Sequence, residues 1–111
     1  MRFEDIVVWE KARELCNEVY RAFSVCKDFA FRDQIQRAAV SVMNNIAEGA
    51  ERATDKELRQ FLHIAKGSCG EVRSMLFLAS DLKYIQEAEF TQLFERSEEI
   101  SKMLAGFIKK L

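Results

Sequence analysis

The chain has 111 residues, of which 49% are apolar and 32% charged, with no proline and four glycines. This length and apolar content predict a single domain over residues 1–111 with one core that needs no disulfide or structural metal. The scarcity of proline and glycine excludes most β-rich and loop-rich folds and favours long helices. A formal net charge of −1 excludes a global attraction to nucleic acid or anionic membrane, so such binding needs a local patch.

Cysteine usage and the N-terminal segment indicate a cellular location. Cys16, Cys26 and Cys69 are an odd number without C-x-x-C spacing, which predicts reduced, buried thiols that act as small apolar residues. Residues 1–5 have no basic region followed by a long apolar run, so no secretory signal is predicted. No stretch approaches the ~18 apolar residues of a membrane span. These features predict a cytoplasmic protein without membrane contact.

Apolar residues recur at helical spacing in four segments, which predict helices over about 8–25, 31–48, 55–82 and 87–111. In the first segment Trp9, Tyr20 and Phe23 widen the apolar stripe. This predicts more apolar surface than one core needs, and therefore self-association. Thr54 and Glu57 have the spacing of a capping box, which predicts the start of the third helix.

The predicted connections, at 26–30, 49–53 and 83–86, are short. Short links between long helices make sequential neighbours antiparallel, so the predicted fold is all-α, an antiparallel up-down-up-down four-helix bundle. One long coiled coil is the alternative. Gly49, the capping box at Thr54 and the change of stripe phase between segments all argue against it.

The sequence offers no arrangement of residues that would support catalysis. A di-iron bundle needs two Glu-x-x-His pairs, but the single histidine, His63, follows Gln60 at that spacing. The three cysteines and His63 lack zinc-ligand spacing, and Cys69 lies about 120° around the helix from His63. Gly67 and Gly70 lie within a helical run and not between a strand and a helix. We therefore predict no enzyme activity, no metal or other cofactor and no small-molecule substrate.

A polar stripe follows one face of the second predicted helix at 3-4-4-3 spacing and consists of Gln34, Arg37, Ser41, Asn45 and Glu48. One interpretation is a face in contact with solvent. The other is a hydrogen-bonded network at a helix–helix or subunit contact, with Arg37 and Glu48 as its charged members. Buried polar groups of this kind mainly specify register or partner.

A basic edge follows the third predicted helix opposite its apolar stripe. Its candidate nucleic-acid-binding residues are Arg52, Lys56, Arg59, Lys66 and Arg73, with His63 in the same row and Asp55 at its border. Side chains of this kind, spaced along a helix, can lie along a phosphate backbone. The alternative is a solvated face whose charge is balanced by neighbouring helices.

Several motifs together resemble the 23S rRNA intervening-sequence protein family. They are Asp5-x-x-Val8-Trp9-x-Lys11-Ala12, then Gln34-x-x-Arg37-Ala38-x-x-Ser41-x-x-x-Asn45-Ile46-Ala47-Glu48-Gly49, then Phe61-Leu62-x-Ile64-Ala65-x-Gly67-Ser68. The resemblance covers about residues 3–85, and the family's usual Phe-Pro and Gly-Leu elements are replaced by residues 26–31. It implies a four-helix bundle in ring-like homo-oligomers, often pentamers. Distant relatives in diversity-generating retroelements are basic pentamers that bind nucleic acid and a reverse transcriptase.

Taken together, the residues and the resemblance predict a non-enzymatic homo-oligomer that serves as an RNA- or DNA-associated accessory protein. The alternative is an oligomeric protein-interaction scaffold that does not contact nucleic acid. The two differ in salt dependence, since phosphate binding weakens steeply with ionic strength.

Overall fold

The computed structural model describes residues 2–111 and contains four long helices: α1 (Val7–Ala22), α2 (Phe29–Ala50), α3 (Asp55–Asp81) and α4 (Glu87–Lys109). A short 3-10 turn, Phe3–Asp5, precedes α1. Thr54 caps α3, because its hydroxyl accepts a hydrogen bond from the Glu57 N–H at 3.2 Å. The predicted all-α fold and the predicted start of α3 are therefore confirmed.

Contacts between α2 and α3 show that these helices run in opposite directions. Near the middle of both, the Ser68 hydroxyl donates to the Ser41 hydroxyl at 2.9 Å. Gly49, close to the end of α2, lies against Phe61, close to the start of α3. Later positions on one helix thus meet earlier positions on the other.

The α3–α4 pair follows the same rule. The Ser97 hydroxyl donates to the Cys69 carbonyl at 3.2 Å, and the rings of Phe77 and Phe90 have their centroids 5.3 Å apart. Moving forward along α3 from Cys69 to Phe77 therefore corresponds to moving backward along α4. These two helices are also antiparallel.

Ion pairs close the bundle between α1 and α4. Lys11 contacts Glu99 at 3.6 Å, and Glu18 contacts Arg96 at 2.7 Å. These contacts are antiparallel too, and because α2 also packs on α1, each helix has two neighbours. The molecule measures 43 × 21 × 20 Å, which fits the predicted up-down-up-down arrangement.

The predicted apolar stripes form the core. On α3 every member of the stripe is buried: Leu58, Leu62, Ala65, Cys69, Val72, Leu76 and Ala79. Of the three residues predicted to widen the apolar stripe of the first helix, however, Trp9 and Phe23 are buried in the same core, and only Tyr20 is exposed. The inference that α1 carries surplus apolar surface is therefore wrong for Trp9 and Phe23, because the core of a single chain already accommodates them.

The connection between α1 and α2 differs from its prediction. Helix α1 ends at Ala22 and α2 begins at Phe29, so the connection covers 23–28 and not 26–30. Asp28 determines the start of α2, because its carboxylate accepts the Phe31 N–H at 3.1 Å, and aspartate is a strong N-cap residue. Phe23 lies just beyond α1, and its side chain is fully buried.

Asp28 also links the α1–α2 connection to the α3–α4 connection, which contains Tyr84. This link predicts a pH dependence of stability. The Tyr84 hydroxyl donates to the second carboxylate oxygen at 2.7 Å. That bond, followed by the Phe31 N–H, lowers the pKa of Asp28 from its ordinary 3.8. A lowered folded-state pKa adds stability above the unfolded-state pKa, and this stability is lost as the pH falls through the folded-state pKa.

We therefore expect Tyr84→Phe to lower the melting temperature at neutral pH. The difference from the parent should shrink as the pH falls from 3.8, the ordinary pKa, through the lowered folded-state pKa of Asp28, below which the carboxyl group is protonated in both proteins. Thermal melts followed by circular dichroism across this range test the expectation. A difference that stays constant with pH would show that the hydroxyl acts without the carboxylate charge.

Candidate nucleic-acid interface

The thiols and carboxylates do not form a reactive centre in the part of the chain that the structure describes. Cys16, Cys26 and Cys69 are free and buried, as predicted. Burial raises the pKa of Cys16 to about 12 and that of Cys69 to about 11, so the reactive thiolate is disfavoured. Residues 2–111 contain no group of three or more His, Cys, Asp or Glu side chains able to hold a metal ion. Over the same residues, no helix is both long and apolar enough to cross a membrane.

The structure places all five candidate basic residues on α3 or immediately before it. Lys56 and Arg59 are exposed, whereas Lys66 and Arg73 are half-buried. Arg52 lies in the connection before α3 and is already engaged. Its guanidinium pairs with Glu48 at 2.8 Å and lies 4.9 Å from the centroid of the Phe61 ring. Arg52 therefore offers less free charge than its position in the sequence indicates.

The start of α3 is joined to the end of α4. Arg59 donates a hydrogen bond to the backbone oxygen of Leu111. The two exposed lysines that precede Leu111, Lys109 and Lys110, are thereby brought toward the same end of the basic edge. Helical spacing within α3 does not predict the position of these lysines, because it carries no information about a neighbouring helix.

Lys66 and Arg73 lie further along the edge, on either side of Cys69. Both positive charges act on the Cys69 thiol and oppose, without cancelling, the effect of burial on its pKa. One guanidinium nitrogen of Arg73, Nη1, is buried without a hydrogen-bond partner. These two cations therefore share one side of α3 close to its packing surface.

The cations of this edge differ from those of the α1–α4 contact in their partners. Arg96 of α4 pairs with both Glu14 and Glu18 of α1. Within residues 2–111, by contrast, no carboxylate side chain forms an ion pair with the basic residues Lys56, Arg59, Lys66 and Arg73. Lys56, Lys66 and Arg73 thus carry positive charge that no ion pair in the described part of the chain neutralises, whereas the Arg59 guanidinium is held by the Leu111 backbone oxygen.

The polar stripe of α2 is divided between two environments. The Asn45 amide donates to the Ser41 hydroxyl at 3.0 Å, and the same hydroxyl accepts the bond from Ser68. Ser68, the α3 member of this network, was not predicted from the sequence, although it borders the apolar stripe three residues after Ala65. Gln34 and Arg37 are exposed, and no hydrogen bond or ion pair is found for them among the described residues.

Glu48, the predicted charged partner of Arg37 in that network, pairs with Arg52. Arg37 and Glu48 therefore do not form a buried pair within one chain. The interpretation of the stripe as a subunit contact stays a prediction.

Exposed apolar surface is concentrated at the end of the bundle where α1 and α3 finish. Large exposed apolar side chains at this end are Val25, Phe29, Phe77, Leu78 and Leu82. The surplus that was predicted on α1 is thus found mainly on α3 and at the α1–α2 connection. Concentrations of exposed apolar side chains frequently mark interaction sites.

These features define a small antiparallel four-helix bundle that presents charge along one helix edge. The chain belongs to the 23S rRNA-intervening sequence protein family, whose model matches residues 4–106. The family match therefore extends through most of α4, beyond the motifs that carry the resemblance.

One solved structure is similar over nearly its whole length. It is the crystal structure of a protein with unknown function from the S23 ribosomal protein family of Bacteroides thetaiotaomicron VPI-5482. The two chains are 27% identical, with a TM-score of 0.87, and the match covers 93% of this chain and 99% of that one. No curated protein matches the chain.

Proposed function

We propose that this chain is a cytoplasmic, non-enzymatic homo-oligomer, a pentamer as the family resemblance implies, that binds RNA or DNA through the phosphate backbone. The observation that carries the proposal is the row of cations on α3, from Lys56 to Arg73, without carboxylate partners. Lys109 and Lys110 add two exposed cations at the end held by the Arg59–Leu111 bond, although Lys110 lines a groove between α4 and the start of α1. Cations in a row without carboxylate side chains as partners suit a polyanion, because the neutralised phosphates release counterions.

The proposed contact recognises phosphates and not base sequence. Lysine and arginine contacts to phosphate position a nucleic acid but carry no sequence information. With a net charge of −1 on the whole chain, each copy should bind weakly. In a ring the basic edge recurs once per subunit, and linked weak contacts raise the overall affinity.

We expect the combined substitutions Lys56→Glu, Arg59→Glu and Lys66→Glu to abolish binding of short RNA and DNA. All three side chains lie off the apolar stripe, so helicity and assembly should persist. Fluorescence anisotropy at low and moderate salt measures the affinity. The parent should show a steep loss of affinity with increasing salt.

The matched control is Arg21→Glu, Lys27→Glu and Lys83→Glu, three exposed cations at the opposite end of the bundle. Each substitution changes the charge by −2, so both triple variants move from −1 to −7. The control should keep most of the parent's affinity. Equal losses in the two triple variants would assign any binding to overall charge and would contradict an interface on α3.

The exposed apolar end favours a second candidate function, an oligomeric scaffold that binds protein and not nucleic acid. Val25, Leu78 and Leu82 are representative of that surface. Association through it should be largely insensitive to salt, because apolar burial does not depend on charge screening. The scaffold would be favoured if the parent has the mass of a homo-oligomer in solution and does not bind nucleic acid at low salt. A monomer at micromolar concentration would contradict both functions as homo-oligomers.

A further inference from the structure

Phe77 lies one helical turn beyond Arg73, the last cation of the row on α3, and its aromatic ring is exposed. Its side chain is 56% exposed although it lies at the α3–α4 contact, close to the end of α3. Phe90 and Phe94 of α4 support it from one side, with ring centroids 5.3 and 5.4 Å away. The ring is thus held in place by neighbours while more than half of its side chain faces solvent.

The nearest members of the basic edge lie on the same side of α3. Arg73 is one helical turn before Phe77, and Lys66 is two turns before Arg73. At ~1.5 Å per residue, Arg73 and Lys66 lie about 6 and 16 Å from Phe77 along the axis. These spacings correspond to about two and five nucleotides of a stacked strand, at ~3.4 Å each. Gly70, between the two cations, adds no side chain that would obstruct a strand.

Two other aromatic rings near the surface, those of Phe29 and Phe61, are covered by a cation from their own chain, whereas Tyr20, which is 46% exposed, has none over its ring among the residues that the structure describes. The Arg32 guanidinium lies 4.8 Å from the Phe29 ring centroid, and Arg52 covers Phe61 in the same way. Within residues 2–111 no lysine or arginine is found over the Phe77 ring. Phe77 therefore combines free ring surface with nearby cations that have no carboxylate partner.

We infer that Phe77 is a stacking platform for an unpaired base, so that the ligand of the basic edge is single-stranded nucleic acid. The inference rests on the proposed phosphate binding and narrows it. A strand in a duplex keeps its bases paired and stacked inside, so only a single strand can lay a base on the ring while its phosphates reach Arg73 and Lys66. Cationic grooves with aromatic platforms bind single strands in this sequence-tolerant manner.

The test compares three ligands of equal length: a short oligothymidylate, the same strand with abasic sites in place of its bases, and a duplex. In low-salt anisotropy the parent should bind the oligothymidylate roughly 5- to 150-fold more tightly than the abasic strand, the range expected for one stacked base. Phe77→Ala should remove this difference and leave binding to the abasic strand unchanged. Phe77→Leu, which keeps most of the apolar volume against Phe90 and Phe94, should behave in the same way.

The control variant is Phe29→Ala, since Phe29 is 59% exposed but already covered by Arg32. It should keep the preference for the oligothymidylate. If the parent binds the abasic strand as tightly as the oligothymidylate, or if both Phe77 variants keep the preference, the stacking inference is overturned while phosphate binding stands. If the parent binds none of the three ligands, the proposed function itself fails, and the inference fails with it.

Discussion

Replacing Phe23 with alanine is expected to lower the free energy of unfolding by about 3–5 kcal/mol. Phe23 is fully buried at the end of the core, with its ring centroid 5.7 Å from that of Phe31. Phe31 in turn contacts Tyr84 at 5.3 Å. Because the Asp28–Tyr84 hydrogen bond ties the two connections together here, the surroundings cannot collapse fully into the cavity. The loss is large compared with the ~5–15 kcal/mol of total stability that is usual for a domain.

Urea denaturation followed by circular dichroism measures this loss, and Phe29→Ala is its matched control. Phe29 carries the same side chain six residues later but is mostly exposed. Its replacement should change stability by no more than about 0.5 kcal/mol, as is usual for surface sites. Similar losses in the two variants would mean that the α1–α2 connection is packed differently from the structure described above.

Gly49→Ala is expected to destabilise the bundle by roughly 1–2 kcal/mol, although alanine is the better helix former. A Cβ at position 49 would lie 2.9 Å from the Phe61 Cβ and 3.0 Å from a Leu58 methyl group. The Phe61 Cβ is attached directly to the α3 backbone, so no rotamer change can relieve the contact and the two helices must separate. Such overpacking costs about 1–3 kcal/mol, more than the ~0.5–1 kcal/mol gained in helix propensity.

Gly67→Ala provides a control of opposite sign. Gly67 lies within α3, and nothing comes within 4 Å of an added Cβ. The same chemical change should therefore stabilise the protein by about 0.5–1 kcal/mol through helix propensity alone. Melting temperatures of the two variants that shift in the same direction would contradict the close α2–α3 approach at Gly49.

Helical periodicity predicted the core because burial in a bundle follows the local geometry of each helix. Side chains three and four residues apart share a face, whatever the neighbouring helix is. Leu62, Val72 and Leu76 were therefore identified as core residues before any partner was known, and all are buried. The same rule predicts no more than which face is apolar, which is why Trp9 and Phe23 were assigned to surplus surface.

Helix ends were predicted well where a capping residue coincided with a break in the pattern, as at Thr54. At the α1–α2 connection the apolar spacing continues past Ala22, and the pattern alone extended α1 by three residues. The end is decided there by Phe23 entering the core and by Asp28 capping the next helix. Both depend on contacts with α2 and the α3–α4 connection, which lie far along the chain.

For the candidate interface, spacing on α3 was sufficient to place Lys56, Arg59 and Arg73 on one edge, because they belong to one rigid helix. It was not sufficient to show that Arg52 is engaged by Glu48 and Phe61. Spacing on α3 also could not predict that Lys109 and Lys110 lie near this edge or that α4 supports Phe77, because both depend on contacts with α4.

The amino-acid sequence by itself therefore determined the number of helices, their buried faces and the row of cations on α3, since each follows from the repeat of a single helix. Only the tertiary structure decided which of those cations keep free charge and where apolar surface stays exposed. These properties depend on how neighbouring helices are rotated and aligned. That rotation places Arg59 against Leu111 and Gly49 against Phe61, and it brings Phe90 and Phe94 behind Phe77. Rotation and alignment are set by packing between side chains distant in sequence, and no repeat within one helix encodes them.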